Sequence, residues 1–277
     1  MITRTAKRKM PARGALAAAI VAVASPLAAQ TVPEFAADGF SVCVDPTFPP
    51  MEFMADAADK DPSGVDIDVA RALAAHWDVG VSFVSMDFAG LLPSLEAGRC
   101  DAVISGTVLR EDRLKTFNAV PYLDTATVLI AGKGAPAVSD IAELAGKTVA
   151  VQSGTSYPGR MEALNAEMEA AGHAPTRIQQ YPKQSDAIQQ LLVGRAAYVV
   201  TQDTEIAFRE MQDPGKFEVV FTMPAEVFEP FSVYLRKDDV ETAKVGETVK
   251  ALVANGELLK IVEKWNLSPG QLNGIGE

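Results

Sequence analysis

Histidine and cysteine each occur only twice in this 277-residue chain, and aromatic residues make up 7% of it. His76 and His173 stand far apart, each near the end of a predicted helix. They complete neither a Ser-His-Asp order nor a His/Cys metal cluster, and no glycine-rich phosphate loop occurs. No catalytic residue, metal or cofactor is therefore expected. Two cysteines, Cys43 and Cys100, are too few for a disulfide scaffold in so long a chain. They read as small buried residues in neighbouring strands, with a single disulfide as the open alternative. After the first thirty residues no apolar run reaches the roughly 20 residues that cross a bilayer. Positive charge is also scarce there: the net charge is -11, the first thirty residues contribute +5, and -16 remains for the rest. Such acidity argues against nucleic acid or an anionic membrane surface as partner.

What the N-terminus does have is Arg4, Lys7, Arg8, Lys9 and Arg13 without an acid, then an apolar run from Gly14 to about Ala24, then Ser25-Pro26-Leu27-Ala28-Ala29. A basic head, a short apolar core and a small-residue exit predict a cleavable signal peptide over 1–29. No cysteine follows the core to carry a lipid, and no Arg-Arg pair marks the twin-arginine route. The remaining length suits two domains, and a hydrophobic content of 48% supports sizeable cores.

Short apolar runs alternate with helical periods. Strands are predicted over 40–44, 79–84 and 101–105, with helices over 65–77 and from Asp87 to Gly98 between them. The theme repeats with strands over 148–152, 176–180 and 197–201 and helices opening at Gly154, Ser185 and Asp203. Strands alternating with helices predict an α/β protein with mostly parallel sheets. Strand-like segments at Thr125–Ile130 and Phe231–Arg236 flank the second unit, and two helices follow. The expected organisation is a first lobe from 30–130 plus 230–277, with a second lobe, 131–229, inserted. The chain then crosses between lobes near Ile130 and near Pro230.

Several stretches, in order, resemble the extracellular solute-binding proteins of polar amino-acid importers, the bacterial solute-binding protein family 3. They are GVDIDVARAL at Gly64, DFAGLLPSLEAG at Asp87, CDAVISG at Cys100, REDRLKTF at Arg110, AELAGKTVAVQSGTS at Ala142, DAIQQLLVGRA at Asp186 and GELLKIVEKW at Gly256. The resemblance spans nearly all of the chain beyond residue 30. It implies a type II periplasmic-binding-protein-like fold, two α/β lobes joined by a two-strand hinge with the ligand in the cleft between them. Open α/β sheets also place ligands at the carboxyl ends of their strands.

An α-amino acid needs a cation and N–H donors for its carboxylate and an acid for its ammonium. Arg113 offers a planar fork for a carboxylate, the role that the resemblance implies for it; by composition alone it reads as a solvated residue beside Glu111, Asp112 and Lys115. Ser105, Gly106 and Thr107 end the third strand, where small residues expose backbone groups. The family has a hydroxyl where this chain has Val108. Thr155 and Ser156 sit at a helix start, which seats anions and equally serves as an ordinary cap. Phe48 and Phe88 resemble the family's rings that pack on the ligand, or else fill core. Asp45, and with it Glu52, are candidates for a basic or polar ligand group. Where the family has an Asp for the ammonium, this chain has Gln202, followed by Asp203. Asp203 takes that role after a register change, Gln202 takes it through its amide oxygen, or the ligand lacks a free ammonium; Gln202 is the preferred pocket contact.

The function expected is that of a monomeric periplasmic substrate-binding protein of an ABC importer. It captures an amino acid or related small carboxylated solute by hinge closure and delivers it to permease subunits in the inner membrane. The alternative is a periplasmic enzyme on the same scaffold, for example a dehydratase of a cyclic acid.

Overall fold

The computed structural model describes residues 1–3, 31–56, 58–224 and 229–276. The expected signal peptide, beyond its first three residues, lies outside the described residues. In chain order the strands and helices are β1 (Phe40–Val44), β2 (Thr47–Phe48), β3 (Glu52–Phe53), α1 (Val65–Trp77), β4 (Val81–Ser85), α2 (Leu91–Glu96), β5 (Ala102–Val103), α3 (Glu111–Leu114), β6 (Phe117–Leu123), β7 (Thr127–Gly132), β8 (Thr148–Gln152), α4 (Tyr157–Ala170), β9 (Arg177–Tyr181), α5 (Gln184–Leu192), β10 (Tyr198–Gln202), α6 (Asp203–Gln212), β11 (Phe217–Thr222), β12 (Phe231–Arg236), α7 (Asp239–Ala254) and α8 (Glu257–Lys264).

Two five-stranded sheets organise the chain, ordered β4-β1-β5-β12-β6 and β11-β7-β10-β8-β9. In the first, β1 runs parallel to β4 and β5, and β12 runs antiparallel to β5 and β6. In the second, β8 is parallel to β9 and β10, and β7 is antiparallel to β10 and β11. Each sheet is covered on both faces, which is why its central strands read as continuous apolar runs. Alternate side chains of β1 go opposite ways: Val42 and Val44 pack with Ile67, Leu73 and Trp77 of α1, whereas Cys43 packs with Leu91 and Leu95 of α2. In β7, Leu129 and Ala131 join the cluster of Met161 and Met168, and Val128 and Ile130 join that of Ala187 and Ile188.

The strand Thr127–Gly132 belongs to the second sheet, because it pairs with both β10 and β11. The first crossing between sheets therefore falls at Asp124–Ala126, a few residues before the point near Ile130 that the sequence indicates. The return crossing lies between the end of β11 at Thr222 and the start of β12 at Phe231.

Cys43 and Cys100 form a disulfide, with Cα atoms 5.7 Å apart. The sequence pattern alone indicates two separate buried residues; the structure instead bridges them. Both side chains are buried against Val103 and Tyr234.

Candidate functional site

The carboxyl ends of both sheets converge on one cleft, because a parallel strand delivers its last residue and following loop to that edge. Arg113 occupies its centre. The short helix α3 carries it, and burial is nearly complete at 9% exposure. Its Nη1 donates to the Val108 carbonyl at 3.0 Å, and its Nη2 donates across the cleft to the Gly154 carbonyl at 3.3 Å. The guanidinium carbon lies 5.9 Å from the ring centroids of both Phe88 and Tyr234. Among the described residues no carboxylate forms an ion pair with it. Burial pushes its pKa below the usual arginine value. A cation held by two carbonyls and two ring systems, but by no anion, is an incomplete electrostatic arrangement.

Phe48, Gly106 and Val108 continue the first lobe's wall. Gly106 has φ +51, and a Cβ there would stand 2.8 Å from the Phe48 ring, so glycine alone allows the ring to close on this loop. Opposite stand Gln152 at the end of β8, Thr155 and Ser156 in the turn before α4, Tyr157 as its first residue, and Gln202 at the end of β10. Thr155 Oγ1 accepts from the Tyr157 N–H at 3.1 Å and donates to the Gln152 carbonyl at 2.7 Å. Ser156 Oγ is buried with no partner among the described residues. Gln202 meets Thr127 through both amide atoms, at 3.3 and 3.4 Å.

Not every residue expected in the site lines it. Ser105 lies behind the wall: its hydroxyl donates to Glu52 Oε1 and accepts from the Asp45 N–H, both at 2.8 Å. Thr107 is buried too, and its hydroxyl returns to the Ser105 carbonyl. Asp45 is fully engaged by the Thr47 hydroxyl, the Phe88 N–H and the Gln152 amide. Asp203 turns to the hinge, accepting from the Thr125 hydroxyl at 2.8 Å and the Ala126 N–H at 3.2 Å. Gln202, not Asp203, therefore faces the cleft. Gln152, inside the stretch AELAGKTVAVQSGTS, and Tyr157, just after it, are lining residues that the sequence does not single out. Their only signal is position, at a strand end and at a helix start.

The lobes are shut on each other. Gln152 Nε2 reaches Asp45 Oδ2 at 2.7 Å across the cleft. Gly154, at φ +78, packs so closely on Ala89 that a Cβ would lie 2.8 Å from its Cα. Phe53 of the first lobe meets Phe208 of the second, centroids 5.5 Å apart. The space left between the walls is about 10 Å³, enough for a single water. A larger solute can enter only when the lobes part.

Beneath the Gly106 loop lies a pair of buried acids. Asp66 accepts from the Gly106 N–H at 2.6 Å and the Tyr122 hydroxyl at 2.5 Å. Glu52, 1% exposed, is buried beside Asp66, and its Oε2 has no partner among the described residues. Burial, then the charge of Asp66, push the Glu52 pKa well above the ordinary range, so of the two carboxyls Glu52 is the one that favours keeping a proton. Burial likewise raises Asp45 to about 6. Groups with raised pKa stabilise the fold below their unfolded value near 4, and that contribution is lost as pH climbs through the folded value. Stability should accordingly fall as pH rises from about 4 through about 6, Asp45 alone accounting for on the order of 3 kcal/mol. Glu52→Gln keeps an acceptor for Ser105 and a donor for Asp66 without any titration. Its urea midpoint should match the parent's at pH 5 and exceed it at pH 8; equal midpoints at both would mean that Glu52 carries no such proton.

Two α/β lobes closed over a cleft with one unpaired cation define a solute-binding protein of the type II periplasmic-binding fold. The chain belongs to the bacterial extracellular solute-binding proteins, family 3, matching it over residues 40–268. It is 27% identical over 230 residues to the arginine-binding protein ArgT of Corynebacterium glutamicum, covering 83% of this chain and 74% of that one. A crystal structure of the substrate-binding protein of an amino acid ABC transporter superposes with a TM-score of 0.71 at 28% identity, covering 82% of this chain and 98% of that one. The ancestral amino acid-binding protein AncCDT-1, a precursor of cyclohexadienyl dehydratase, gives a TM-score of 0.71 at 27% identity, covering 82% and 94%.

Proposed function

We propose that this protein captures an amino acid or a related small carboxylated solute in the periplasm and presents it, as a monomer, to the permease of an ABC importer. The observation that carries the reading is Arg113, nearly buried, pre-oriented and without an anion. A ligand carboxylate bonded to its fork and to the N–H groups at the start of α4 would complete the arrangement. The ligand docks on Arg113, Phe48 and Gly106 of the first lobe. The second lobe then closes with Thr155, Ser156 and Gln202, excluding water and strengthening the charged hydrogen bonds. Ser105 and Thr107 support this wall from behind rather than touching the ligand, and Asp45 meets Gln152 of the second lobe when the cleft is shut. The lobes 30–130 plus 230–277 and 131–229, with the first boundary moved to Asp124–Ala126, are the bodies that move. The lining side chains supply a cation, amides, hydroxyls and aromatic walls, a chemistry for holding a solute rather than for turning one over.

A screen of amino acids, hydroxy acids, betaines, opines and small carboxylates by thermal shift tests this reading. A ligand at a hundred times its Kd should add about 2.7 kcal/mol, raising Tm by roughly 5–10 °C for a chain of this size. Stabilisation by none of the carboxylated compounds would overturn it.

A further inference from the structure

Among the described residues facing the cleft, only Arg113 is charged. Four buried or half-buried acids near it are already engaged. Asp45 accepts from the Thr47 hydroxyl and the Phe88 N–H of its own lobe and, while the lobes are shut, from the Gln152 amide. Asp203 is spent on Thr125 and Ala126 of the hinge. Glu205 is buried under the Thr201 hydroxyl, the Gln184 amide and an ion pair with Arg209. Glu52 faces Ser105 and Asp66, behind the wall. Among the described lining residues none carries a negative charge that would neutralise a second positive charge beside Arg113.

From this we infer that the ligand is a net anion: a small carboxylate whose α-substituent is uncharged, such as a hydroxyl, a carbonyl or an acylated nitrogen, and whose body is apolar. This rests on the carboxylate reading above and sharpens it. A zwitterion's carboxylate pairs with Arg113 and leaves its ammonium buried without an anion. Arginine, with two positive groups beside its one carboxylate, leaves two such charges, so this chain does not share the ligand named for its arginine-binding relatives. Burying an unpaired charge in a closed cleft is costly. A hydroxy acid leaves the closed cleft neutral. The Gln202 amide oxygen already accepts from Thr125 and Thr127, so the ligand hydroxyl accepts from the remaining Gln202 amide N–H and donates to the unpartnered Ser156 hydroxyl. Phe48, Phe88, Val108 and Tyr157 supply apolar walls for the remainder.

Pairs of probes that differ only at the α-position read this out by calorimetry: L-phenyllactate against L-phenylalanine, and L-2-hydroxyisocaproate against L-leucine, with L-arginine alongside. The hydroxy acid of at least one pair should bind at least tenfold more tightly than its amino acid, and arginine should not bind. In Gln202→Asp the preference should invert, because the new carboxylate meets the ammonium and repels the hydroxy acid's net charge. Amino acids binding as tightly as their hydroxy counterparts would overturn this inference while leaving the carboxylate site intact. Failure of every carboxylated compound in the wider screen would instead defeat the carboxylate reading itself. Should Gln202→Asp unfold, the comparison in the parent protein decides alone.

Discussion

Arg113→Ala abolishes ligand binding and leaves the protein folded. The side chain is fixed before any ligand arrives, by the Val108 carbonyl on one nitrogen and by the Phe88 and Tyr234 rings beside its plane. A carboxylate that meets it therefore loses little freedom of the arginine on binding. Without the guanidinium the carboxylate would sit in a closed cleft facing only neutral donors. Truncating one partner of a buried, hydrogen-bonded charge pair costs about 2–5 kcal/mol or more, which is a loss of roughly thirtyfold to several thousandfold in affinity. The fold has little to lose. No protein carboxylate is stranded, and the Val108 carbonyl keeps the Tyr234 hydroxyl at 2.7 Å. Removing a desolvated cation without a counter-ion should leave the urea midpoint unchanged or slightly raised. Arg113→Lys restores the charge but not the planar fork and should recover only part of the affinity. Calorimetry with the strongest ligand of the parent protein measures both variants. Affinity in Arg113→Ala within threefold of the parent would remove Arg113 from the binding role.

How far the sequence carries depends on how local the deciding interaction is. The helix Val65–Trp77 and the strand Phe231–Arg236 coincide with their predicted bounds, because their periodicity reports burial on one or two faces directly. The strand Phe117–Leu123 has no such signature, since Pro121 interrupts it. It survives because β6 is an edge strand, where the missing N–H need not face a neighbour. Strand β11 is likewise an edge, and β2 and β3 have two residues each, too few for any period to show. In the site, Arg113 and the Gly106 loop are legible through the order of the family's motifs. The direction of Gln202 is not: it follows from the register of β10 against β7, where Gln202 stands opposite Thr127. The bond from Gln152 to Asp45 joins residues 107 apart in sequence and on different lobes. Ser105 shows the opposite limit. Its place at a strand end is right for a ligand contact, yet two buried neighbours, Glu52 and the Asp45 N–H, have already taken its hydroxyl.

Replacing both Cys43 and Cys100 by Ala should lower stability by about 4 kcal/mol from chain entropy alone, since the bridge closes a loop across a sequence separation of 57. For a chain of this size that corresponds to a fall in Tm of roughly 8–15 °C. Alanine is the informative replacement: both positions are buried among Leu91, Leu95, Val103 and Tyr234, where a serine would add an unpaired hydroxyl and confuse the result. The same sulfur–sulfur bond tethers β1, which leads into Asp45, to the turn leading into β5, whose following loop contains Gly106. In the folded state that tether is redundant. Strands β1 and β5 remain paired through Val42 with Ala102 and Cys43 with Val103, and Arg236 Nη1 holds the Cys100 carbonyl at 2.6 Å. Binding at 20 °C should accordingly stay within threefold of the parent, while thermal unfolding shifts down; dithiothreitol on the parent should reproduce the shift. An unchanged Tm in the double variant would mean that the bridge constrains nothing that unfolding releases. A disulfide with a stabilising rather than a functional role belongs to an oxidising compartment, which agrees with an extracellular solute-binding protein meeting its ligand outside the reducing cytosol.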